Sequence, residues 1–498
     1  MVQPLYLEPR VEEPLAALLE DGAFLHSLAD GLGSPLNILI PDRAAENAAR
    51  FLAVYRSHHL SGRVYFAHKA NRSSSLVRRL AAAESGVGVD VASIGELQHA
   101  LGCGFTPDRI MATGPKDVEF LWLAARVGAT VNVDSPGELD LLAGLVREHG
   151  FDRVPVLVRL SEFEEDRATS PGVRVLSRRS RFGTPLRDVE SLLSGAARHR
   201  DAVDLIGVGF HLDTVGTTEK VRALERCVTV MDACLSHGLS PRALDIGGGF
   251  GIGYVADAAQ WDRYTTALSD AVRGARPPMA WRGHSYGLRN DNGTVRGSVA
   301  LYPAHRAVSG PAYLDELLTH RTPALDRPAA TLLLEHLHDL YSEPGRALVD
   351  QCGLSFARVV EVRRVGDGPS MDHVVRLAAN AADISLEEHG VLVDPVLLPR
   401  GPHDDAPGDQ EVGVYLAGNL CLEADFLTRR KVFLQRLPRA GDLLAFVNTA
   451  GYAMDFRAHR AQHRPTARTV AVERSGDGWR WCPDEDYWPV NTPGGERA

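Results

Sequence analysis

Lysine is scarce in this chain: of 54 Lys and Arg residues, it stands only at Lys69, Lys116, Lys220 and Lys431. Each can therefore be weighed by its neighbours. Lys116 lies in the turn-like GPKD, Lys220 follows the polar VGTTE, and Lys431 ends the basic TRRK, so these three are expected to be solvated. Lys69 differs. It follows RVYFAH, a β-branched and aromatic run of strand character, and precedes the helix-like SSSLVRRLAAAES. An amine at the C-terminal end of a strand can condense with an aldehyde, although a lone strand-end lysine also fits a structural or solvent-facing place.

Four other signals carry chemistry only in combination. LDIGGGFGIGY ends a strand in Gly247, Gly248 and Gly249, where backbone N–H groups can approach a phosphate closely; a tight turn explains the same glycines. EPGRALVDQCG places Glu343 and Arg346 around a Pro-Gly turn, which fits a surface salt bridge as readily. GFHLDT puts His211 at the end of an apolar strand, as a core histidine or as a flat ring stacked on a ligand. GNLCLEAD sets Cys421 beside acids, and NTAGYAMDF carries Tyr452; a buried cysteine is usually inert. One ligand would use them all: an aldehyde for the lysine, a phosphate for the glycines, a ring nitrogen for the acid and a planar face for the histidine. Pyridoxal phosphate has those parts, and an acid facing its nitrogen keeps the ring protonated as an electron sink.

The elements that must position these residues follow from alternation. From about residue 36, short apolar runs (NILI, VYFAHK, GVDVAS, IMATG, TVNVDS, PVLVRL, LIGVGFHL, ALDIGGGF) are separated by helical stretches such as ENAARFLAVYRSH and EKVRALERCVTVMDACLSHG. Repeated β-then-α units imply parallel strands and right-handed crossovers. The series is long enough to close a barrel. A doubly wound sheet would carry its glycine-rich turn after the first strand, and here the triple glycine comes late. After about residue 350, FARVVEVRRVG, HVVRLAA, EVGVYLAG, DLLAFVNTAG and TVAVER read as strands of a separate β domain. The expected fold is thus a (β/α)8 TIM-like barrel over 36–349, interrupted by an irregular insertion at about 254–341, followed by a C-terminal β-barrel or sandwich domain over 350–498, to which about 1–35 return.

Composition narrows the function classes. The 498 residues are 44% hydrophobic and 24% charged, which excludes disordered, collagenous and disulfide-scaffold chains. A net charge of −10 gives no cationic field for nucleic acid or anionic lipid. The acid-interrupted N-terminus and the lack of a long apolar run argue against a secretory signal and a membrane span, and are read as a cytoplasmic protein. The six cysteines contain no CxxC pair, so no metal site is expected.

In this order along the chain, YFAHKAN, GVDVASIGEL, GFHLDT, LDIGGGFGIGY, EPGRALVDQCG, GNLCLEAD and AGYAMDF resemble the alanine-racemase-type (fold type III) pyridoxal-phosphate decarboxylases, the ornithine, arginine and diaminopimelate group. The resemblance implies a head-to-tail homodimer with shared active sites and a small amino acid as substrate. It implies Lys69 as Schiff-base lysine, His211 stacked on the pyridine ring and Glu343 facing the ring nitrogen. Gly247, Gly248, Gly249, Thr214, Arg346 and Tyr452 are implied around the phosphate. Asp90, Glu96 and Arg159 match positions near Lys69 and the cofactor, and Cys421 matches the proton donor to the carbanion.

Three departures bear on substrate. Leu212-Asp213-Thr214 replaces the family's usual Ile-Gly-Ser. Leu422 stands where an acid normally receives a distal ammonium, leaving Glu423 and Asp425 as candidates. AANAADISLEEHG lacks the arginine that a diaminopimelate enzyme would use. The reading is a pyridoxal-phosphate-dependent amino-acid decarboxylase shifted away from meso-diaminopimelate. The alternatives are a racemase or epimerase, disfavoured by Glu343 and Cys421, and a non-catalytic binding relative.

Overall fold

The computed structural model describes residues 4–84, 86–164, 176–212, 216–366, 371–401, 411–476 and 478–484. The chain forms two compact units: one from Ala44–Gly251 and Val308–Leu348, the other from Met1–Arg43, Ile252–Ala307 and Val349–Asp486, within the described residues. Among these no helix is long and apolar enough to cross a membrane.

The first unit is a closed parallel barrel. Its strands are β1 (Gly62–Ala67), β2 (Val87–Val91), β3 (Ile110–Ala112), β4 (Thr130–Val133), β5 (Val154–Ser161), β6 (Val203–Phe210), β7 (Ala243–Asp245) and β8 (Asp339–Ser342). Each pairs with the next, and β8 pairs with β1, so the ring follows chain order. The strands are rich in Val, Ile and Leu because both faces are buried, by side chains inside the ring and helices outside. Tyr65, Met111, Leu157 and Ala243 form part of the apolar core.

Helix starts fix the strand-to-loop exits. Ser93 caps Ile94–Gly102 and Ser135 caps Pro136–His149, each accepting the N–H of the Glu three residues on (Glu96 3.2 Å, Glu138 3.2 Å). Each Glu reaches back to the N–H preceding the cap residue, at Ala92 (2.7 Å) and Asp134 (3.1 Å). These are near-capping boxes. They aim two carboxylates at the C-terminal rim of the barrel.

The second unit is built on a nine-stranded sheet among the described residues, with Gly353–Val365 near its centre. Leu36–Leu39 lies between Gly353–Val365, antiparallel, and Arg468–Ser475, parallel. NILI, expected as the opening strand of the barrel series, belongs to this sheet instead. Four consecutive buried positions satisfy either sheet, and pairing decides. The helices Leu15–Glu20 and Gly22–Leu32 pack Leu15, Leu18, Leu25 and Leu28 on Leu36, Ile38 and Phe356. The stretch 254–341, expected as one insertion, divides. Residues 252–307, with the hairpin Leu288–Asp291/Thr294–Gly297, cluster with the sheet unit, whereas 308–348 supplies two helices and β8 of the barrel.

Candidate active site at the barrel rim

The barrel brings residues distant in sequence to one rim. Lys69 lies on the 3-10 turn His68–Ala70 that leaves β1, Asp90 near the end of β2, Arg159 in β5, His211 after β6, Asp245 at the end of β7 and Glu343 after β8. All therefore sit at the C-terminal ends of the strands, where a barrel holds its chemistry.

Three buried carboxylates cannot all ionise so close together. Burial and the Glu343 charge push Asp90 well above the ordinary carboxylate range, against the pull of Lys69 and Arg159. Asp245 is pushed up for the same two reasons. Glu343 is moved the other way: burial works against it, but the Lys69 and Arg159 charges favour its ionised form. The rim thus shifts Glu343 one way and Asp90 and Asp245 the other.

The tautomer of His211 follows from its contacts. Its Nδ1 accepts the Gly248 N–H at 3.2 Å, and Glu343 Oε2 lies 3.9 Å from the same nitrogen, too far for a hydrogen bond. A nitrogen that accepts carries no proton, so the neutral ring has its hydrogen on Nε2. Burial lowers the His211 pKa, in keeping with a neutral imidazole.

The glycine turn is held by its surroundings. Gly247 adopts φ +64°, its N–H donates to Asp245 Oδ1 (2.8 Å), and its carbonyl accepts the Glu343 N–H (2.9 Å). A Cβ on Gly247 would lie 2.4 Å from the Phe210 carbonyl oxygen. On Gly248 it would lie 2.8 Å from that of Glu343 and 3.1 Å from His211 Cε1. Only glycine allows this approach to the histidine.

Around Lys69 the structure adds residues that motif reading missed. His68 Nε2 meets His99 Nδ1 at 2.7 Å, His99 Nε2 meets Ser74 Oγ at 2.9 Å, and His68 Nδ1 lies 3.5 Å from Glu96 Oε1. His68 and Lys69 together hold Glu96 below its usual range, against the effect of burial. Two of the lysines expected to be solvated are buried. Lys116 pairs with Glu138 at 2.9 Å, and burial lowers its pKa; Lys220 is wholly enclosed and donates to the Gly248 carbonyl. Lys431 is half-buried against Asp372. Polar sequence neighbours do not report which way a side chain points once its helix or turn packs. The twice-used Ser-x-Gly-Glu-Leu pattern was the available signal, since each Glu ends beside a basic residue.

Of the other expected site residues, Thr214 lies outside the described residues and Arg346 is half-buried just after Glu343. Cys421 and Tyr452 belong to the sheet unit. Cys421 is exposed, its N–H donating to Gln462 Oε1 (3.0 Å), and Tyr452 has φ +70° and leans on His389, ring centres 5.9 Å apart. Glu423 is exposed and paired with Arg282 at 3.1 Å. Asp425 is buried and accepts the N–H groups of Ala381 (2.9 Å) and Leu420 (2.8 Å), so its carboxylate pins its own loop. Turning it toward a substrate would orphan both donors.

Residues 45–281 match the family described as pyridoxal-dependent decarboxylase, pyridoxal binding domain. The uncharacterized protein y4yA of Sinorhizobium fredii (strain NBRC 101917 / NGR234) is 31% identical over 477 residues, 95% of each chain. The chain belongs to the pyridoxal-dependent decarboxylase family. Within it, the diaminopimelate decarboxylase of Pseudomonas aeruginosa is 30% identical over 248 residues, 48% of this chain and 57% of that one. The match thus spans a little over half the length of that relative. A diaminopimelate decarboxylase from M. jannaschii, solved in co-complex with L-lysine, shares the fold with a TM-score of 0.67, 18% identity, and coverage of 92% and 91% of the two chains.

The cofactor of this decarboxylase family is pyridoxal phosphate, and the rim fits it. Asp90 Oδ1 and Asp245 Oδ2 are buried with no partner among the described residues, the glycine turn leaves no room for a Cβ, and a lysine amine, a flat imidazole and a buried carboxylate lie at the same rim. Lys69, His211, Glu343 and the turn Gly247–Gly249 are the residues suited to hold it.

Proposed function

We propose that this chain catalyses the pyridoxal-phosphate-dependent decarboxylation of an amino acid, with Lys69 carrying the cofactor. The observation that carries the reading is the meeting, at the C-terminal ends of the barrel strands, of Lys69, His211 and Glu343 with a glycine turn that leaves no room for a Cβ. When bound, pyridoxal phosphate supplies a ring that accepts the electron pair left on the substrate α-carbon as carbon dioxide departs. Glu343 keeps a proton on the ring nitrogen by accepting its hydrogen bond, and an anion there favours the protonated form. The neutral His211 covers the ring without adding a competing positive charge. The glycine turn and Arg346 receive the phosphate.

Cys421 is assigned the return of a proton from its thiol to the α-carbon, in a homodimer where Cys421 and Tyr452 complete the neighbouring protomer's site. The exposure of the Cys421 loop supports this, since a donor acting across subunits must be presented outward. Decarboxylation is favoured over racemisation because an acid faces the nitrogen and a thiol is available as donor.

For the substrate, Leu422 is 60% exposed where the resemblance implies an acid, Asp425 is committed to its loop, and Glu423 is exposed and paired with Arg282. A buried distal ammonium or carboxylate without a counter-charge is costly. We therefore assign a specificity away from meso-diaminopimelate. Incubating the purified holoenzyme with diaminopimelate, lysine, ornithine, arginine and less polar amino acids, while following carbon dioxide and product chirality, tests both parts. Carbon dioxide with one enantiomer of amine is expected. Racemised amino acid without carbon dioxide overturns the reaction, and a clear kcat/KM preference for meso-diaminopimelate overturns the specificity.

A further inference from the structure

Lys220 stands on the helix Thr217–Ser236 that follows β6, and it is among the largest fully buried side chains of the protein. Its Nζ donates to the Gly248 carbonyl and lies 4.4 Å from the centre of the Phe250 ring and 5.8 Å from that of Tyr313. An amine removed from water this completely must be held by what it holds. Here the partners are one backbone carbonyl and two ring faces that accept a cation.

The consequence lies in the geometry of the turn. The Gly247 N–H is taken by Asp245, the Gly247 carbonyl by the Glu343 N–H, and the Gly248 N–H by His211. The next peptide unit joins Gly248 to Gly249. In a planar trans peptide the carbonyl and the following N–H point in opposite directions. With the Gly248 carbonyl drawn toward Lys220, the Gly249 N–H is aimed the other way, and among the described residues it has no acceptor.

We propose that Lys220 is the positioning residue of the phosphate turn: from beneath, it pins the Gly248 carbonyl so that the Gly249 N–H is presented to the cofactor phosphate, and it places an amine under that anion. This rests on the reading that the barrel rim binds pyridoxal phosphate through its glycine turn. Burial pushes the Lys220 amine down to about 7, opposed by Asp245 and Glu343, so an arriving phosphate dianion favours its protonated form.

The test compares two ligands on the apoprotein, pyridoxal phosphate and pyridoxal, which differ only in the phosphate. Dissociation constants come from quenching of tryptophan fluorescence, without turnover. In Lys220→Met the preference for pyridoxal phosphate should fall about ten- to a hundredfold, with pyridoxal affinity within about twofold of the wild type. A purely structural role would weaken both ligands alike. An unchanged preference in a folded variant overturns the proposal. A wild-type protein that does not distinguish the ligands overturns the glycine-turn reading itself, and the role of Lys220 with it. If Lys220→Met does not fold, the four lysines of the wild type can be followed by NMR after 13Cε labelling, assigned with Lys69→Ala, Lys116→Arg and Lys431→Arg. Pyridoxal phosphate, but not pyridoxal, should then move the Lys220 signal, and its failure to move is equally decisive against the proposal.

Discussion

At the barrel rim, Asp90 and Glu343 are buried and His211 is half-buried among other parts of the same unit. On the loop 419–425 of the sheet unit, Cys421, Leu422 and Glu423 face solvent and only Asp425 is buried. The two regions carry the residues to which chemistry is assigned, and their protein surroundings differ in kind. At the rim, burial and neighbouring charges push Asp90 and Asp245 up and Glu343 down, so the acids differ in how readily they ionise. The loop holds its shape through Asp425 but leaves its thiol in water. A proton donor in bulk water competes with water itself, so the loop's chemistry depends on being covered, as the homodimer reading requires.

That contrast can be broken most severely at the rim. Lys69→Ala should lower turnover by at least about a thousandfold with an unchanged far-UV circular dichroism spectrum; a fully active alanine variant would falsify the assignment of Lys69. Glu343→Gln should cost about a hundredfold in kcat, because the ring nitrogen loses its anionic partner while the side-chain volume is kept. Steady-state kinetics at saturating cofactor measure it, and a fall confined to KM would show that Glu343 only binds.

Cys421→Ala should reduce kcat by about tenfold to a hundredfold through the lost proton donor. Mixing Lys69→Ala and Cys421→Ala protomers, each inactive or weak, should restore part of the activity, because some mixed dimers contain one intact site. No recovery after demonstrated subunit exchange would remove the dependence of the loop on a neighbour, and with it the main difference between the two regions.

Asp90→Asn should stabilise the apoprotein while impairing turnover, the trade expected where function keeps a buried acid. The sign follows from linkage. Asp90's pKa is raised on folding, so ionisation destabilises the native state as pH climbs from the ordinary carboxylate range. The gain in the Asn variant should therefore be negligible below about pH 4, grow as pH rises and level off above Asp90's folded pKa, reaching about 1–3 kcal/mol in urea titrations. A gain that shrinks as pH rises contradicts the assignment of the charge to Glu343. The smallest effect belongs to the loop: Glu423→Ala breaks an exposed pair with Arg282 and should change stability by less than about 0.5 kcal/mol. A larger loss, measured by the same titration, would mean that the loop is less independent of its surroundings than its exposure implies.

The amino-acid sequence determined the alternation of strand and helix, because a strand buried on both faces must be continuously apolar and its crossover helix amphipathic, and both periods are local. It singled out Lys69, His211 and the triple glycine because each ends an apolar run and strand ends are where a barrel exposes side chains, and Glu343 because it stands with Arg346 around a Pro-Gly turn. Tertiary structure alone decided the rest. A four-residue apolar run such as Leu36–Leu39 specifies burial but not a partner, and its hydrogen bonds to Gly353–Val365 and Arg468–Ser475 placed it in the sheet unit. The polar residues before Lys220 say nothing about the direction of its side chain. That direction was set when the helix packed Val221, Leu224 and Cys227 inward and carried the amine with them to the glycine turn. Protonation states belong to the same class, since which of Asp90, Asp245 and Glu343 keeps its charge depends on distances that exist only after the barrel has closed.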